Sequence, residues 1–531
     1  MTFDTLSVGP PRLLAGLEHW QRIDLTAYRK VFGQSPRLTA EQLISMAERV
    51  DLRGRGGAAF PVARKLAAVR DATRTRKRPP MVVVNGTEGE PGSAKDKLLL
   101  IRSPYLVLSG AMVAAHALRA KLIVVAVSDA LAARSVTEAV AAEPGLARKI
   151  RVMEVPDRFV TGESSALINA LNGKTPLPSG QASHASYRGL GQRPTLLSNA
   201  ETFAQLAVLT MVGPDAYASA GTKAEPGTLL LTVGGAVDRP AVVEVPVGLP
   251  LGHVLDLCGA DPGEGILVGG YHGGWLPGQD AWDVPVSRAG LAAAGGTLGA
   301  GVVLALRPEC CPLSEVARVA AYLAKESSGQ CGPCKLGLPG VARSLAALAN
   351  GSGGPAALDT ARRGAAAVRG QGACGHPDGV SRFVRSALEV FSDDVAAHAI
   401  RGGCNRPAGD VLPVPAAAGE TKLALDWTRC RGHGLCAHIV PELVQLDGQG
   451  FPVMLDTPVA PWLQRDAAQA VAMCPALALR LVPAGPAPAR RGALTRALTA
   501  GRDPVADTVP DLAVSEEWIA EIANLREISS R

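Results

Sequence analysis

Long apolar segments and aromatic side chains are both scarce in this chain. Phe, Trp and Tyr make up 4% of the 531 residues, whereas hydrophobic residues as a whole make up 47%. The longest apolar stretches, such as residues 121–127, fall far short of the ~20 residues that cross a bilayer as a helix. Residues 1–11 lack a basic segment followed by an apolar core, so they do not have the form of a signal peptide. We therefore expect no transmembrane helix and a cytoplasmic location.

The chain also lacks an excess of charge of one sign. Its 54 basic and 48 acidic residues give a net charge of +6, and the two kinds are interspersed. This pattern does not indicate nucleic-acid binding. Ten cysteines without a signal peptide argue against a disulfide framework, because cytosolic thiols are kept reduced. Where the cysteines cluster, metal ligation is the better interpretation.

The apolar pattern changes along the chain, and the length of 531 residues predicts more than one domain. Between about residues 38 and 209, strand-like runs alternate with helical stretches, which predicts an α/β sheet covered by helices. The predicted strands are residues 81–84, 122–127 and 150–155, and the predicted helices are 105–118 and 129–142. Residues 227–246 are rich in β-forming residues, and Ala-rich amphipathic stretches from residue 313 predict a small helical bundle.

The first chemical motif is the glycine-rich segment RGRGGAAFP at residues 53–61, followed by Lys65. Glycines let backbone N–H groups approach a ligand closely, and the start of a helix adds partial positive charge that suits a phosphate. Lys65 could add a full charge. Taken alone, this motif fits a structural turn at least as well.

Three further polar loops follow strand-like runs. They are NGTEGEPGSAKD at residues 85–96, TGESS at 161–165 and PTLLSNAET at 194–202. In an α/β sheet, ligands collect at the carboxyl ends of the strands. These loops are therefore candidate binding loops, with plain surface turns as the alternative.

The four loops, in this order and spacing, resemble the FMN- and NADH-binding subunit of respiratory complex I and its relatives in soluble hydrogenases and formate dehydrogenases. The resemblance extends from about residue 11 to residue 401. It implies that the cofactor-binding residues are Gly54, Arg55, Gly56, Gly57, Phe60, Lys65, Asn85, Glu88, Glu90, Gly162, Glu163, Ser198 and Asn199. The three glycines at 54, 56 and 57, with Lys65, hold the FMN phosphate and ribityl chain, whereas Phe60 and Glu90 lie on the nicotinamide side. No catalytic side chain is expected, because the cofactors carry the chemistry.

Several positions depart from the family pattern on the face that orients NADH. Thr87 replaces the usual Asp, Ser164 replaces a second Glu, and Gln181 and His184 replace the usual Lys and Phe. Aromatic stacking and charge complementarity hold a dinucleotide, so these changes weaken the expectation of NADH binding more than that of FMN binding.

The first cysteine site begins with ESSGQCGPC at residues 326–334. Cys331 and Cys334 can present two thiolates to one cluster, and the distant Cys374 could close the site. The resembled family uses four cysteines to hold a 4Fe-4S cluster, and Ser328 stands in the first of these positions here. Three alternatives stay open: Ser328 ligates the fourth iron, Cys404 substitutes for it, or the cluster is incomplete. A zinc site or a redox pair is a further alternative.

The second cysteine site is CRGHGLC at residues 430–436, with Cys474 followed by Pro475. A Cys-Pro pair is typical of the last ligand of an iron–sulfur cluster. Residues 423–482 resemble single-cluster bacterial ferredoxins, with His433 where four-ligand versions have Cys. The thiols of Cys430, Cys436 and Cys474 favour a 3Fe-4S cluster, and a 4Fe-4S cluster with His433 as the fourth ligand is the alternative. We expect the three remaining cysteines, at 258, 310 and 311, to be small buried hydrophobic side chains.

The resemblance implies an α/β flavin-binding domain, a β-grasp-like domain, a helical iron–sulfur bundle and an α+β ferredoxin domain. The corresponding ranges are 1–215, 216–305, 306–406 and 422–483, with a linker at 407–421 and a polar tail at 484–531 that includes a helix at 515–525. The expected function is NADH dehydrogenase-like electron transfer through FMN and two clusters. Expected partners are a small iron–sulfur subunit or a membrane redox protein, which would place the chain peripherally on the inner membrane face. The alternative function is an electron-transfer subunit that does not bind NAD(H) and is fed by a partner.

Overall fold

A computed structural model describes residues 4–180, 184–261, 263–415, 421–441, 443–454, 459 and 463–483. The chain divides into two compact units, the first ending at Val414 and the second beginning at Pro415. Gln181, the tail at 484–531 and its predicted helix at 515–525 lie outside the described residues.

The first sheet has four parallel strands. The last of these strands in the chain joins the sheet on the side opposite to the two before it. The first five strands of the chain are β1 (Asp4–Ser7), β2 (Met81–Gly86), β3 (Leu122–Val127), β4 (Ile150–Glu154) and β5 (Thr195–Asn199). The order across the sheet is β4-β3-β2-β5, with β5 on the opposite side of β2 from β3. Loops leaving β2 and β5 therefore start side by side at the carboxyl ends of adjacent parallel strands, which is where α/β sheets bind ligands. The three strands predicted from the sequence are present.

Between β1 and Thr228, the described residues form ten α-helices. They are α1 (Leu25–Val31), α2 (Ala40–Arg49), α3 (Val62–Arg76), α4 (Lys95–Arg102), α5 (Pro104–Leu118), α6 (Ala130–Ala141), α7 (Pro144–Lys149), α8 (Ser164–Leu171), α9 (Ala200–Val212) and α10 (Pro214–Tyr217). Helices α5 and α9 are apolar on nearly all sides and form the centre of the core. They approach most closely at Gly110, where an added Cβ would lie 1.8 Å from the Phe203 carbonyl oxygen.

The second sheet is mixed and has six strands. Its strands after β1 are β6 (Thr228–Gly235), β7 (Ala241–Pro246), β8 (Gly265–Val268), β9 (Gly274–Pro277) and β10 (Val302–Ala305), with helices α11 (Leu251–Leu257) and α12 (Arg288–Ala293). Strand β1 lies at the edge and pairs in parallel with β7, which the sequence did not predict. The buried Glu244 carboxylate accepts the backbone N–H groups of Arg12, Leu13 and Leu14 at 2.9–3.0 Å and thereby fixes the segment after β1.

A helical bundle completes the first unit. Its helices are α13 (Pro312–Lys325), α14 (Leu338–Ala349), α15 (Gly354–Ala367), α16 (His376–Val390) and α17 (Ser392–Arg401). Their apolar faces form one core around Phe383 and Leu323. A wider π-type turn, Pro333–Gly337, leads into α14.

The described residues of the second unit form two short antiparallel sheets and two helices. Its elements are β11 (Thr421–Leu425), α18 (Leu435–Ile439), β12 (Val444–Leu446), β13 (Pro452–Met454), α19 (Gln464–Ala472) and β14 (Leu479–Pro483). Strands β11 and β14 pair, and β12 and β13 form a hairpin. The Asp447 carboxylate closes its turn by accepting the N–H groups of Gln449 and Phe451 at 2.9 Å.

Within the described ranges, no single helix is long and apolar enough to cross a membrane. Helices α4 and α5 reach the required length and composition only as a pair, and they meet at an angle of 95°.

The close approach at Gly110 gives a test of the packing. Gly110→Ala is expected to push α5 and α9 apart and to cost about 3 kcal/mol or more, as expected for overpacking against backbone. The melting temperature should fall by roughly 6 °C or more. Gly340→Ala in α14 is the matched control, because its added Cβ meets nothing within 4 Å. This control should change stability by no more than about 1 kcal/mol, in the stabilising direction. Equal melting temperatures for the two variants would contradict the close packing of α5 on α9.

Candidate functional site

The candidate binding loops meet at the carboxyl ends of the paired strands β2 and β5. Asn85 at the end of β2 is paired in register with Asn199 at the end of β5. The Asn85 side chain donates to the Gly162 carbonyl at 3.0 Å and accepts the Thr87 N–H at 3.1 Å. The structure therefore brings the second, third and fourth loops predicted from the sequence to one place.

Two predicted site carboxylates shape these loops by capping helices. Glu88 accepts the backbone N–H groups of Asp96 at 3.2 Å and Lys97 at 2.8 Å, at the start of α4. Glu163 accepts those of Ser165 and Ala166 at 2.9 Å, at the start of α8. Negative charge at a helix N-terminus is stabilising. Burial, reinforced by the Asp96 charge, raises the pKa of Glu88.

The glycine-rich segment turns over the end of β5. The Gly54 N–H donates to the Phe60 carbonyl at 3.0 Å and closes the turn. Gly57 has a φ of 98°, which favours glycine, and a Cβ at Gly56 would lie 3.6 Å from the Asn199 side chain. The Arg55 side chain lines a pocket together with Gly54, Gly57 and Glu201, and its guanidinium donates to the Thr228 carbonyl at 3.2 Å.

Lys65 is a buried cation whose partners are neutral. It lies in the first turn of α3, and its Nζ donates to the Leu197 carbonyl at 2.8 Å and to the Ser198 hydroxyl at 3.3 Å. Among the described residues, no carboxylate lies within ion-pair distance of this Nζ. Burial lowers the pKa of Lys65 to about 8. An uncompensated buried ammonium beside a glycine-rich turn fits the phosphate of a bound flavin mononucleotide.

Phe60 and Glu90, predicted on the nicotinamide side, differ in exposure. The Phe60 ring is 49% exposed and lies 6.0 Å from Lys65 Nζ. Glu90 accepts the Tyr271 N–H at 3.1 Å through one oxygen, and its buried Oε1 has no partner among the described residues. Burial raises the pKa of Glu90 to about 8. This unpartnered oxygen can accept a hydrogen bond from a bound ligand.

A charge network is buried beneath the loops and was not predicted from the sequence. Lys95 Nζ lies 2.8 Å from Glu201 and 3.3 Å from Asp96, and it donates to the Arg55 carbonyl at 3.2 Å. Burial disfavours the ammonium, yet the nearby carboxylates raise the pKa of Lys95 above its ordinary value. Asp96 also accepts the Asn199 side chain and the Glu201 N–H, at 2.9 and 2.7 Å. The sequence feature that could have indicated this network is that its charged residues lie in the same loops as the predicted site residues.

The first cysteine site gathers the four predicted ligand residues around the turn before α14. The Ser328 hydroxyl lies 3.9 Å from Cys334 Sγ, and both side chains are buried. Burial opposes the Cys331 thiolate, but backbone N–H groups of Ala373 and Cys334 lower the pKa of Cys331 overall. Burial raises the pKa of Cys374, and the charge of Glu163 adds to this effect. The bond from the Ala373 N–H to Cys331 places the neighbouring Cys374 beside Cys331.

Cys404 does not lie at this site, so the alternative in which Cys404 replaces Ser328 as the fourth ligand is wrong. Its thiol lies within 4.8 Å of Cys311, at the start of α13. Ser328 lies beyond the opposite end of that helix, whose 14 residues span roughly 21 Å. Cys404 is therefore too far away to substitute for Ser328.

The segments that flank the third binding loop contact the first cysteine site. The Phe159 N–H donates to the Glu326 carboxylate at 3.0 Å, and the Gln330 side chain donates to the Pro178 carbonyl at 3.0 Å. Arg158 lies 3.7 Å from Glu326. The segment after β4 thus runs along the loop that carries Cys331.

The second cysteine site is a small cleft in the second unit. Cys430, His433, Cys436 and Cys474 all line it, together with Pro475. Gly432 and Gly434 on either side of His433 have φ values of 69° and 71°, which let the loop curve around the cleft. Burial raises the pKa of Cys436, and the neighbouring thiols of Cys430 and Cys474 contribute to this shift.

The fold and these sites define a flavin- and iron–sulfur-containing oxidoreductase. Residues 47–208 match the Nuo51 FMN-binding domain, and residues 314–398 match the iron–sulfur binding region of NADH-ubiquinone oxidoreductase F. Residues 423–481 match a 4Fe-4S single cluster domain. The resemblance stated from the sequence is confirmed: the chain carries the FMN-binding and iron–sulfur binding domains of the F subunit of complex I.

The chain is similar to subunits of larger enzymes. It is 28% identical to the F subunit of NADH-quinone oxidoreductase from Mycobacterium tuberculosis H37Rv over 411 residues, which are 73% of this chain and 91% of that protein. It is 26% identical over 423 residues to the HndC subunit of the NADP-reducing hydrogenase from Solidesulfovibrio fructosivorans, covering 76% and 84% of the two chains. Among solved structures, an air-oxidized NAD+-reducing NiFe-hydrogenase matches with a TM-score of 0.67 and 25% identity, covering 78% of this chain and 70% of that chain.

The environment of Lys65 predicts how FMN affinity depends on charge and pH. Lys65→Met should weaken FMN binding roughly 10- to 100-fold, because one charge-assisted hydrogen bond contributes ~1.5–3 kcal/mol. FMN phosphate is a dianion above pH ~6, and Lys65 is protonated below its pKa of about 8. The affinity of the wild type for FMN should therefore be constant between about pH 6 and pH 8, and it should fall as the pH rises above 8.

Fluorescence titration of apoprotein with FMN measures both effects. Lys65→Met should lack the decline above pH 8. Lys30→Met is the matched control, since Lys30 is exposed at the end of α1, and it should bind FMN as the wild type does. Unchanged affinity in Lys65→Met would refute the phosphate assignment.

Proposed function

We propose that this chain is an NADH dehydrogenase-like oxidoreductase that transfers electrons between a nicotinamide nucleotide and a partner protein through FMN and two iron–sulfur clusters. The observation that carries the proposal is the direct contact between the segments flanking the third binding loop and the first cysteine site, through the pairs Phe159–Glu326 and Pro178–Gln330. Short separations favour electron transfer between redox groups, and this contact leaves no intervening domain.

When bound, FMN supplies the exchange between hydride chemistry and single-electron transfer. The chain's own residues position it. The turn at Gly54, Gly56 and Gly57 offers backbone close to a ligand, and Lys65 offers the charge that a phosphate requires. Glu90 has a free buried oxygen on the side proposed for the nicotinamide nucleotide, where the exposed Phe60 ring is available for stacking.

We assign Ser328, Cys331, Cys334 and Cys374 to a 4Fe-4S cluster. The assignment of Ser328 as a ligand is supported by its buried position beside Cys334. For the second site we assign Cys430, Cys436 and Cys474, with either a 3Fe-4S cluster or a 4Fe-4S cluster. The position of His433 in the same cleft supports the four-iron form with His433 as the fourth ligand.

The proposed domains keep the ranges expected from the sequence, and β1 at the start of the first range pairs with β7 of the second. Residues 1–215 form the flavin domain, and 216–305 form a ubiquitin-like β-grasp domain. The β-grasp proposal is supported by the hairpin β6–β7, the helix α11, and β10 parallel to β6 at the centre of the sheet. Residues 306–406 form the helical iron–sulfur domain, 407–421 the linker, 422–483 the ferredoxin-like domain and 484–531 the tail.

A separate protein completes the proposed electron path. The similar proteins are named as subunits of NADH-quinone oxidoreductase and of a hydrogenase, which supports a role within an assembly. We propose a small iron–sulfur subunit or a membrane redox protein as the partner. The chain would then work in the cytoplasm or at the inner face of the membrane.

Anaerobic mixing with nucleotides tests the donor. NADH should bleach the flavin absorbance near 450 nm of the holoprotein within seconds, and the cluster absorbance should then decrease. NADPH in a parallel experiment decides nucleotide preference, and dithionite confirms that both groups are reducible. If dithionite bleaches the flavin while neither nucleotide does, the chain is instead fed by a partner protein.

Replacing Ser328 tests the first cluster. Ser328→Cys should retain the cluster and raise its midpoint potential, because thiolate is a softer ligand than alkoxide and stabilises the reduced iron better. Ser328→Ala should lose one iron per chain or the whole cluster. Iron analysis and EPR of dithionite-reduced protein measure these outcomes. Ser381→Ala is the control, since this buried serine donates to the Ala365 carbonyl in the same bundle. A Ser328→Ala cluster identical to the wild type would show that the serine is not a ligand.

A further inference from the structure

A buried cysteine–histidine–cysteine cluster lies away from both cysteine sites described above. Cys311, His398 and Cys404 each contribute one ligand atom, and these atoms all lie within 4.8 Å of one another. We propose that these three residues bind a zinc ion, which joins the segment 402–414 to the helical bundle.

The three residues come from separate parts of the bundle. Cys311 directly precedes α13 and is 3% exposed, whereas His398 lies in the last turn of α17 and is 4% exposed. Cys404 follows α17, where Gly402 with a φ of 79° reverses the chain. Cys311 and His398 are 87 residues apart in sequence, so only the packing of α13 on α17 brings them together.

The histidine is oriented as a metal ligand. His398 Nε2 lies 3.3 Å from Cys311 Sγ, and Nδ1 lies 3.2 Å from the Leu348 carbonyl. A carbonyl can only accept a hydrogen bond, so Nδ1 carries the proton and the lone pair of Nε2 faces the thiols. Metal-bound histidines commonly use their second nitrogen in this way.

The donor set and its spacing suit zinc. Two thiolates and one imidazole are common zinc ligands, and a tetrahedral site leaves a fourth position for water. With Zn–S near 2.3 Å and Zn–N near 2.0 Å, ligand atoms on one ion lie roughly 3–4 Å apart. The present separations therefore require only small side-chain movements.

The surrounding contacts give the site a structural role. Glu315 accepts the N–H groups of Val411 and Leu412 at 3.1 Å, and the Cys311 N–H donates to the Pro407 carbonyl at 2.8 Å. Arg406 lies 2.8 Å from Glu264. These bonds hold the segment 402–414 along one side of the bundle, and a metal between Cys311 and Cys404 would cross-link the same surfaces.

The neighbouring Cys310 supplies a matched control. Its thiol lies beside Gly409 and the Glu315 carboxylate rather than within the ligand group. Substituting Cys310 therefore changes a thiol of the same segment without removing a proposed ligand.

Elemental analysis of the purified full chain is the test. The wild type and Cys310→Ser, produced with zinc and iron supplied, should each contain one zinc per chain. Cys311→Ser, His398→Ala and Cys404→Ser should lose that zinc and keep the iron content of the wild type. His398→Cys should retain zinc, because a third thiolate replaces the imidazole.

Zinc K-edge X-ray absorption on the wild type provides a measurement that does not depend on the variants. It should show two sulfur ligands near 2.3 Å and nitrogen or oxygen ligands near 2.0 Å. The proposal is overturned if the wild type contains no zinc, if Cys311→Ser loses iron instead of zinc, or if the absorption spectrum shows no sulfur ligands. Since flavin reduction by nucleotides is measured separately, failure here leaves the proposed redox function unaffected.

Discussion

The buried network of Lys95, Asp96 and Glu201 is the interaction on which the candidate site depends. Lys95 binds both carboxylates and also the backbone of the glycine-rich turn at Arg55. Glu201 further accepts the Leu230 N–H of the second sheet at 3.1 Å. One ammonium therefore connects the glycine-rich turn, the loop after β2, the loop after β5 and strand β6. Removing a single partner would leave a buried charge uncompensated, at a cost of roughly 3–5 kcal/mol.

Lys65 lies outside this network, and among the described residues no carboxylate pairs with it. The two buried lysines have opposite pKa shifts, because Lys95 is surrounded by carboxylates whereas Lys65 meets only neutral oxygens. Lys95 thus stabilises the loops, whereas Lys65 provides positive charge for an anionic ligand. Pre-organised positive charge of this kind lowers the cost of binding a phosphate.

The contacts between the flavin loops and the first cysteine site unite two functional regions within the first unit of the chain. Glu163 caps α8 and also contributes to the raised pKa of Cys374. Glu326, next to the Ser328 turn, is held by Phe159 and Arg158. Two or three side chains therefore connect the third binding loop and its flanking segments to the first cysteine site. The Cys311 group at the opposite end of α13 is separate from these contacts and serves the segment 402–414.

The sequence by itself determined the features that are local in the chain. The strands at 81–86, 122–127 and 150–154 and the helices at 104–118 and 130–141 follow from apolar periodicity, and they agree closely with the predicted ranges. The glycine-rich turn and the two cysteine motifs are likewise short patterns whose spacing reflects their chemistry. Tertiary structure decided what depends on distant residues meeting. It paired β1 with β7, assembled the Lys95 network, and brought Cys311 to His398 while keeping Cys404 away from Ser328. The spacing of residues along the chain does not predict such contacts. Their energy comes from burial and charge pairing, which exist only when separate elements pack together.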